Sequence, residues 1–359
     1  DIDITVNEDS LDENDETVVV TMGAPTNATQ GTTLVHTATI EDNDDPPVVS
    51  FGVASQSGSE GSGTLTVEVV LDTASGLDVD VPFTLGGTAT GGVGQDYTIT
   101  LSPVTIVAGN TSADIDITVN DDLFYELPET VVVTMGTPVN GTQGTPSVHT
   151  ATIENNDAQP VVSFGGAAQS GAEGAGTLTV VVELATASGL DVDVPFTLGG
   201  TAAEGAGQDY TISVSPVTIG AGSLSENIVI TVNDDGLYEL PETVVVAMGT
   251  PVNATQGTPS VHTTTITDND TQPVVSFGEA AQSGSEAAGT LTVVVELDTA
   301  SGADVEVPFT VGGTATGGVG QDYTITASPV TIVAGTTSAD LDITVGDDLS
   351  YELPETGVV

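Results

Sequence analysis

The chain repeats itself at a fixed step of 113 residues, and that step limits what it can fold into. The phrase VVSFG recurs around Phe51, Phe164 and Phe277. Met22, Met135 and Met248 keep the same interval, as do His36, His149 and His262. A period this long is one whole domain, not a turn of a solenoid built from units of about 20–50 residues. The chain holds three periods and twenty residues more, and residues 1–20 align with both 114–133 and 340–359. It therefore reads as an excerpt of a longer array, starting inside one unit and stopping inside another. The expected divisions are 1–45, the C-terminal part of a unit; 46–158 and 159–271, whole units; and 272–359, a unit without its last strands.

Within a unit the hydrophobic pattern has a period of two. Leu65, Val67, Val69 and Leu71 share one face of Thr64–Leu71, with Thr66 and Glu68 on the other. Val79, Val81, Phe83 and Leu85 alternate with acids and threonine over 78–85, and Ile115, Ile117 and Val119 do so over 114–119. Residues 48–51, 130–135 and 148–153 complete the set. Alternation with one wet face, rich in β-branched residues, predicts antiparallel strands. Gly and Pro cluster between them, and no segment carries a helical stripe. Six to eight short strands in about 110 residues predict an all-β, two-sheet sandwich. The joints EDNDDPP (41–47) and TDNDTQP (267–273) are short and proline-stiffened, and they set acids at the seam between units.

Charge narrows the function. The chain carries 52 Asp and Glu and no Lys or Arg. Binding to nucleic acid or to an anionic membrane depends on cationic side chains, so both are excluded as partners. Lysine nucleophiles, arginine clamps and Lys–Asn cross-links are unavailable, and with no Cys there is no disulfide or thiolate site. No apolar run reaches the roughly 20 residues of a membrane helix. Divalent cations are the natural partners, although acidity can also serve solubility alone.

The acids fall at strand ends. In the unit 46–158 they are Glu60, Asp96, Asp121, Asp122, Glu126, Glu129 and Asp157. A sandwich gathers alternate loops at one end, so these carboxylates are expected to converge. Two such charges 4 Å apart repel by about 1 kcal/mol in water and about 4 kcal/mol at an effective dielectric of 20. A hard cation removes the repulsion. Ca²⁺ accepts six to eight oxygens, whereas Mg²⁺ keeps its waters and a strict octahedron. Two ions per cluster could be served.

At these residues the unit resembles the Calx-β domain, the calcium-binding sandwich of sodium/calcium exchangers and of large bacterial surface proteins. The phrases that carry the resemblance are VVSFG, SEGSGTLTVEV, GTATGGVGQDYTI, SPVTIVAGNTSADIDITVNDDLFYELPETVVV and HTATIENND. The resemblance implies an Ig-like antiparallel sandwich of about seven strands. It also implies Ca²⁺ as the cofactor, held by the seven acids just named. In the next unit the implied ligands are Glu173, Asp209, Asp234, Asp235, Glu239, Glu242, Asp268 and Asp270. The last unit keeps Glu286, Asp322, Asp347, Asp348, Glu352 and Glu355. The opening fragment keeps Glu8, Asp9, Glu13, Glu16, Asp42, Asp44 and Asp45. Against the family pattern, the terminal acidic runs ENND and TDND are diluted by Asn, and Tyr125 and Tyr238 stand where an acid is common. Fewer charges imply dissociation constants of about 10⁻⁴–10⁻³ M, an extracellular range.

Catalysis finds no support in the residues. The histidines occur once per unit and read as packed or edge residues, Ser and Thr lack an activating base, and GGTATGGVG precedes no helix. Asn27, Asn110, Asn140 and Asn253 stand in glycosylation sequons that are also ordinary turn sequences. The expectation is a calcium-stiffened stalk or filament segment of an extracellular microbial surface protein. Its partners would be neighbouring repeats or identical chains in a fibre, including exchange of strands between one chain's end and another's start. The alternatives are an adhesin or receptor ectodomain that binds a partner through its loops, or a spacer in a secreted enzyme.

Overall fold

In the computed structural model, residues 1–347 and 353–359 are described. They divide into two compact units, 1–159 with 187–190, and 160–186 with 191–359.

The first unit opens with a hairpin of β1 (Glu16–Thr21) and β2 (Val35–Ile40). A sandwich follows. Its strands are β3 (Val48–Phe51), β4 (Ser55–Ser59), β5 (Thr64–Leu71), β6 (Val79–Val81), β7 (Phe83–Gly87), β8 (Tyr97–Ile99), β9 (Val104–Ile106), β10 (Ser112–Val119), β11 (Glu129–Met135), β12 (Thr142–Gln143) and β13 (Val148–Glu154). One sheet runs β12-β3-β5-β10-β8, the other β4-β13-β11-β7, and β6 pairs with β9. Pairing is antiparallel except at two edges, where β12 lies parallel to β3 and β4 parallel to β13.

The alternating residues behave as the pattern predicts. Leu65, Val67, Val69 and Leu71 are buried, as are Ile115, Ile117 and Val119, between Val131, Val133 and Ile153 of the opposite sheet. Residues 78–85, read from the sequence as one strand, are two. Pro82 has no N–H to continue a ladder. The chain changes partner there, β6 pairing with β9 and β7 with β11. Leu85, expected inside, is 46% exposed because β7 is an edge strand. The break at Pro82, together with two- and three-residue edge pieces, yields eleven strand segments where the pattern suggested six to eight. Gly87 ends β7 at φ 110°, and a Cβ there would collide with the Thr130 carbonyl. That carbonyl accepts from the amides of Thr88 and Ala89, which turns the chain toward the loop bearing Asp96.

The second unit repeats this plan over 160–271, with sheets of five and four strands and the Val192–Val194/Val217–Ile219 pair. Over 272–359 one four-stranded sheet is formed by Val275–Phe277, Thr290–Leu297, Tyr323–Ile325 and Ser338–Val345. That repeat has no counterpart of β13 within the sequence. Phe277 is accordingly 42% exposed, whereas Phe51 and Phe164 are 1% exposed. No helix among the described residues is long and apolar enough to cross a membrane.

Candidate metal centre

Each acid is placed by a different device at one end of the sandwich. Glu60 begins a short 3₁₀ turn, Glu60–Ser62, between β4 and β5, and it is only 8% exposed. Asp96 precedes β8, and one of its oxygens accepts the Thr90 amide at 2.5 Å, which fixes the loop. Asp122 accepts the Phe124 amide at 2.7 Å, and Glu129 is the first residue of β11, opposite Ile153. Asp157 follows β13; its amide donates to Asn155 Oδ1 at 3.2 Å, and the Asn155 amide donates to the Asp157 carbonyl at 3.0 Å.

These loops gather two triads. Glu60, Asp122 and Asp157 form one and Asp96, Glu126 and Glu129 the other, each able to bring one oxygen per residue within 4.8 Å of the others. In the next repeat the triads are Glu173, Asp268 and Asp270, and Asp209, Glu239 and Glu242. The Asp209 loop is held as Asp96 is, by the Ala203 amide at 2.5 Å, and Asp235 accepts the Leu237 amide at 2.7 Å.

The electrostatics are those of a cluster without counter-charge. Burial, then Asp122, Glu126, Asp157 and Asp121, push the Glu60 carboxyl up to about 7. Burial, then Asp268, Glu239, Asp235 and Asp270, push Glu173 to about 7. Glu129 and Glu242 also rise to about 7, through burial, then a hydrogen bond to Asp96 or Asp209 and the charges around them. Glu126 and Glu239 are raised, chiefly by burial and then by Asp122 and Asp235. Oε2 of Glu60 and of Glu173, and Oδ2 of Asp157 and of Asp270, are buried without a hydrogen-bond partner. A buried acceptor normally has a partner. Orphaned carboxylate oxygens converging from separate loops are the donor set of a hard divalent cation, and the residues fit one.

Not every expected ligand joins a triad. Asp121 and Asp234 instead accept the side-chain amides of Asn156 at 2.9 Å and Asn269 at 3.1 Å. Asp235 stays near enough to Glu173 to raise it. In the opening fragment, Asp42, Asp44, Glu8 and Asp9 are close enough to interact, and Glu13 and Asp44 are raised by burial first and by these neighbours next. Glu16 begins β1, and Asp45 lies in the joint that follows β2. In the last repeat Glu286 is exposed, and Asp322 accepts the Thr316 amide at 2.6 Å. Asp347 and Glu355 are exposed too, while Asp348 and Glu352 lie outside the described residues. Among the described residues that repeat gathers no triad.

Sequence reasoning missed a contact of the same loop. In the first unit the Asp12 carbonyl accepts the Gly76 amide at 3.1 Å and Ser75 Oγ at 3.3 Å. In the second, the Tyr238 carbonyl accepts the Gly302 amide at 3.0 Å and Ser301 Oγ at 3.3 Å. Ser75 and Ser301 are almost fully buried. A Cβ at Gly302 would strike the Glu239 side chain, and one at Gly76 would strike Glu13. Within each unit, two repeats therefore meet through the acid-bearing loop, beyond the proline joints where the sequence placed the seam. The available signal was TASG, identical at 73–76, 186–189 and 299–302.

His149 is fully buried, with Nδ1 2.7 Å from the Val53 carbonyl and its ring edge-on to Phe51. Asn140 and Asn253 adopt φ 58° and 61°, and their amides donate to the carbonyls of Asp78 and Asp191 at 2.9 and 2.8 Å. A glycan on either nitrogen would compete with that bond.

Fold and site together define a tandem of β-sandwich domains, with an acidic cluster built from loops at one end of each complete one. The Calx-beta domain family matches at residues 1–44, 42–157, 155–270 and 268–359, and the chain belongs to that family. Among solved structures, CBD12 from CALX1.2 is 15% identical over 60% of this chain and 98% of its own, with a TM-score of 0.29. The calcium binding domain CBD12 of CALX1.1 is 16% identical over 60% and 98%, with a TM-score of 0.30. The apo-form Calx CBD1 domain is 20% identical over 32% and 100%, with a TM-score of 0.29. No curated protein matches.

Proposed function

We propose that the chain is a calcium-stiffened segment of an extracellular stalk or filament of a microbial surface protein, without catalytic activity. The observation that carries this reading is the pair of buried glutamates, Glu60 and Glu173, each with an orphaned oxygen facing other carboxylates. Glu60, Asp122 and Asp157 would hold one ion and Asp96, Glu126 and Glu129 another; Glu173, Asp268 and Asp270, and Asp209, Glu239 and Glu242, do the same in the next repeat. Bound calcium supplies positive charge that cancels the mutual repulsion of the loops. The loop carrying Glu239 also docks on Ser301 and Gly302, so order in the cluster is passed to the next repeat. The absence of Lys and Arg supports a spacer that avoids nucleic acid and leaves no site for proteases that cut at those residues.

Calcium titration of melting temperature and of small-angle scattering tests the proposal. At a hundredfold excess over the dissociation constant, each site adds about 2.7 kcal/mol of stability. Calcium is expected to raise the melting temperature and to narrow the distribution of inter-repeat arrangements. If chelator leaves both measurements unchanged, the proposal is wrong.

A further inference from the structure

We propose that Thr264 and Gln169 join in an ester, an intramolecular cross-link that ties the opening strands of the 159–271 repeat to its last strand. The bond itself is independent of calcium, and its mechanical use rests on the stalk reading above.

A nucleophile, an electrophile and a base come from two paired strands. Gln169 lies on Ala168–Ala172 and Thr264 on Val261–Thr267, which run parallel with these two residues in register. The Gln169 carboxamide nitrogen donates to Thr264 Oγ1 at 3.0 Å. Thr264 is fully buried, with the buried Val244 across the strand on its other side. Gln169 is half-buried on the edge strand of its sheet. His262 shares the inward face of Thr264, two residues earlier on the same strand, and is 4% exposed. Its Nδ1 lies 2.6 Å from the Gly166 carbonyl, and its Nε2 is buried without a partner. A carbonyl only accepts, so Nδ1 donates, and the neutral ring keeps a free lone pair on Nε2. The preceding repeat is the contrast. Gln56 and His149 hold the same places, but Ala151 stands where Thr264 does, and the Gln56 amide donates to the Thr66 carbonyl instead. The fold therefore does not require a hydroxyl at that place.

The reaction closes on the groups present. Thr264 Oγ1 attacks Gln169 Cδ, and its proton passes to His262 Nε2. The glutamine Cδ–Nε2 bond then breaks, and the nitrogen takes that proton and leaves as ammonia. One C–O bond forms, one C–N bond is lost, and no oxidant or added reactant is needed. Groups held about 3–3.5 Å apart in one molecule react as though at about 10⁵–10⁸ M. The last torsion of a glutamine side chain is broad, so its rotation turns Cδ toward the hydroxyl. Ammonia departs by the sheet edge, while burial of Thr264 keeps water from the finished ester. The two residues are 95 positions apart, near the two ends of the repeat. Tension along a stalk would pass through the bond and leave the chain between them unloaded.

Intact mass of the full chain tests the inference, followed by digestion with a protease that cuts at acidic residues, since no Lys or Arg offers another site. The parent is expected to be lighter than its sequence by one ammonia. Its peptides carrying Gln169 and Thr264 should be recovered joined, and parted by mild alkali. Thr264→Val and Gln169→Met are expected at full mass, with those peptides free. His262→Gln is expected to stay at full mass when freshly made, and complete cross-linking in that variant overturns the role given to the imidazole. A parent of full mass overturns the inference. So does an ammonia loss that persists in Thr264→Val, as ring closure at an asparagine would give. None of these results depends on calcium, so failure of the cross-link and failure of the stalk reading are told apart by the mass and the calcium titration.

Discussion

At the scale of single residues, the repeats are less alike than their register suggests. Asn155 of one repeat corresponds to Asp42 and Asp268, one period away on either side. Asp268 joins a triad with Glu173 and Asp270, whereas Asn155 braces the Asp157 turn and accepts the Glu126 amide at 3.4 Å without joining a triad. The cluster of 159–271 therefore carries one more carboxylate. Asn155→Asp is expected to tighten calcium binding by the 46–158 repeat about tenfold, equivalent to 1.4 kcal/mol; a titration curve that does not move would refute the comparison. Glu60 makes a second case. Its carboxyl is raised to about 7 in the fold from an ordinary 4.5. The folded state thus binds more protons than the unfolded one between those values, and stability falls as pH rises through that window. Glu60→Gln removes the buried charge. In chelator at pH 8 it should melt higher than the parent, and in saturating calcium it should melt lower because a ligand is gone. Thermal scans in the two buffers check the crossover.

At the scale of strands and loops, two glycine-dependent contacts decide how the cluster is held. Gly302 has no room for a Cβ because the Glu239 side chain occupies it. In Gly302→Ala, Glu239 must swing out of the triad with Asp209 and Glu242. The expected result is little change in melting temperature under chelator and a smaller rise on adding calcium; an unchanged calcium response would show that the dock does not position Glu239. The core obeys a simpler rule. Ile117 is fully buried between the sheets, and Ile117→Ala should cost about 2–5 kcal/mol by denaturant unfolding, with or without calcium. The buried faces of β5 and β10 were legible in the sequence because alternation and burial share one period. The split at Pro82 was less so, since the hydrophobic alternation runs straight through it and only the pairing partners reveal the change of sheet.

At the scale of the molecule, the negative charge is a liability that varies with pH and with metal. Glu60, Glu129, Glu173 and Glu242 are all raised to about 7. Without metal the folded chain takes up protons as pH falls from 7 toward 4.5, so its melting temperature is expected to increase over that range. Under the calcium reading proposed above, the ion would compete with those protons, and its affinity should weaken over the same range. A chelated protein that melts highest at pH 8 would contradict the assignment of these four glutamates. The docked loops extend the consequence, because Asp12 and Tyr238 link an acidic cluster to a buried serine of the following repeat.

The 113-residue period, the sandwich class, the alternating core and the inventory of acids were determined by sequence alone, because each is a property of order along the chain. The grouping of those acids was not. Only the tertiary structure put Glu60 with Asp122 and Asp157, paired Asp121 with Asn156, and packed Glu239 against Gly302. These partners lie between 35 and 97 residues apart and meet because separate loops converge at the ends of the sheets, a distance in space that no local pattern encodes.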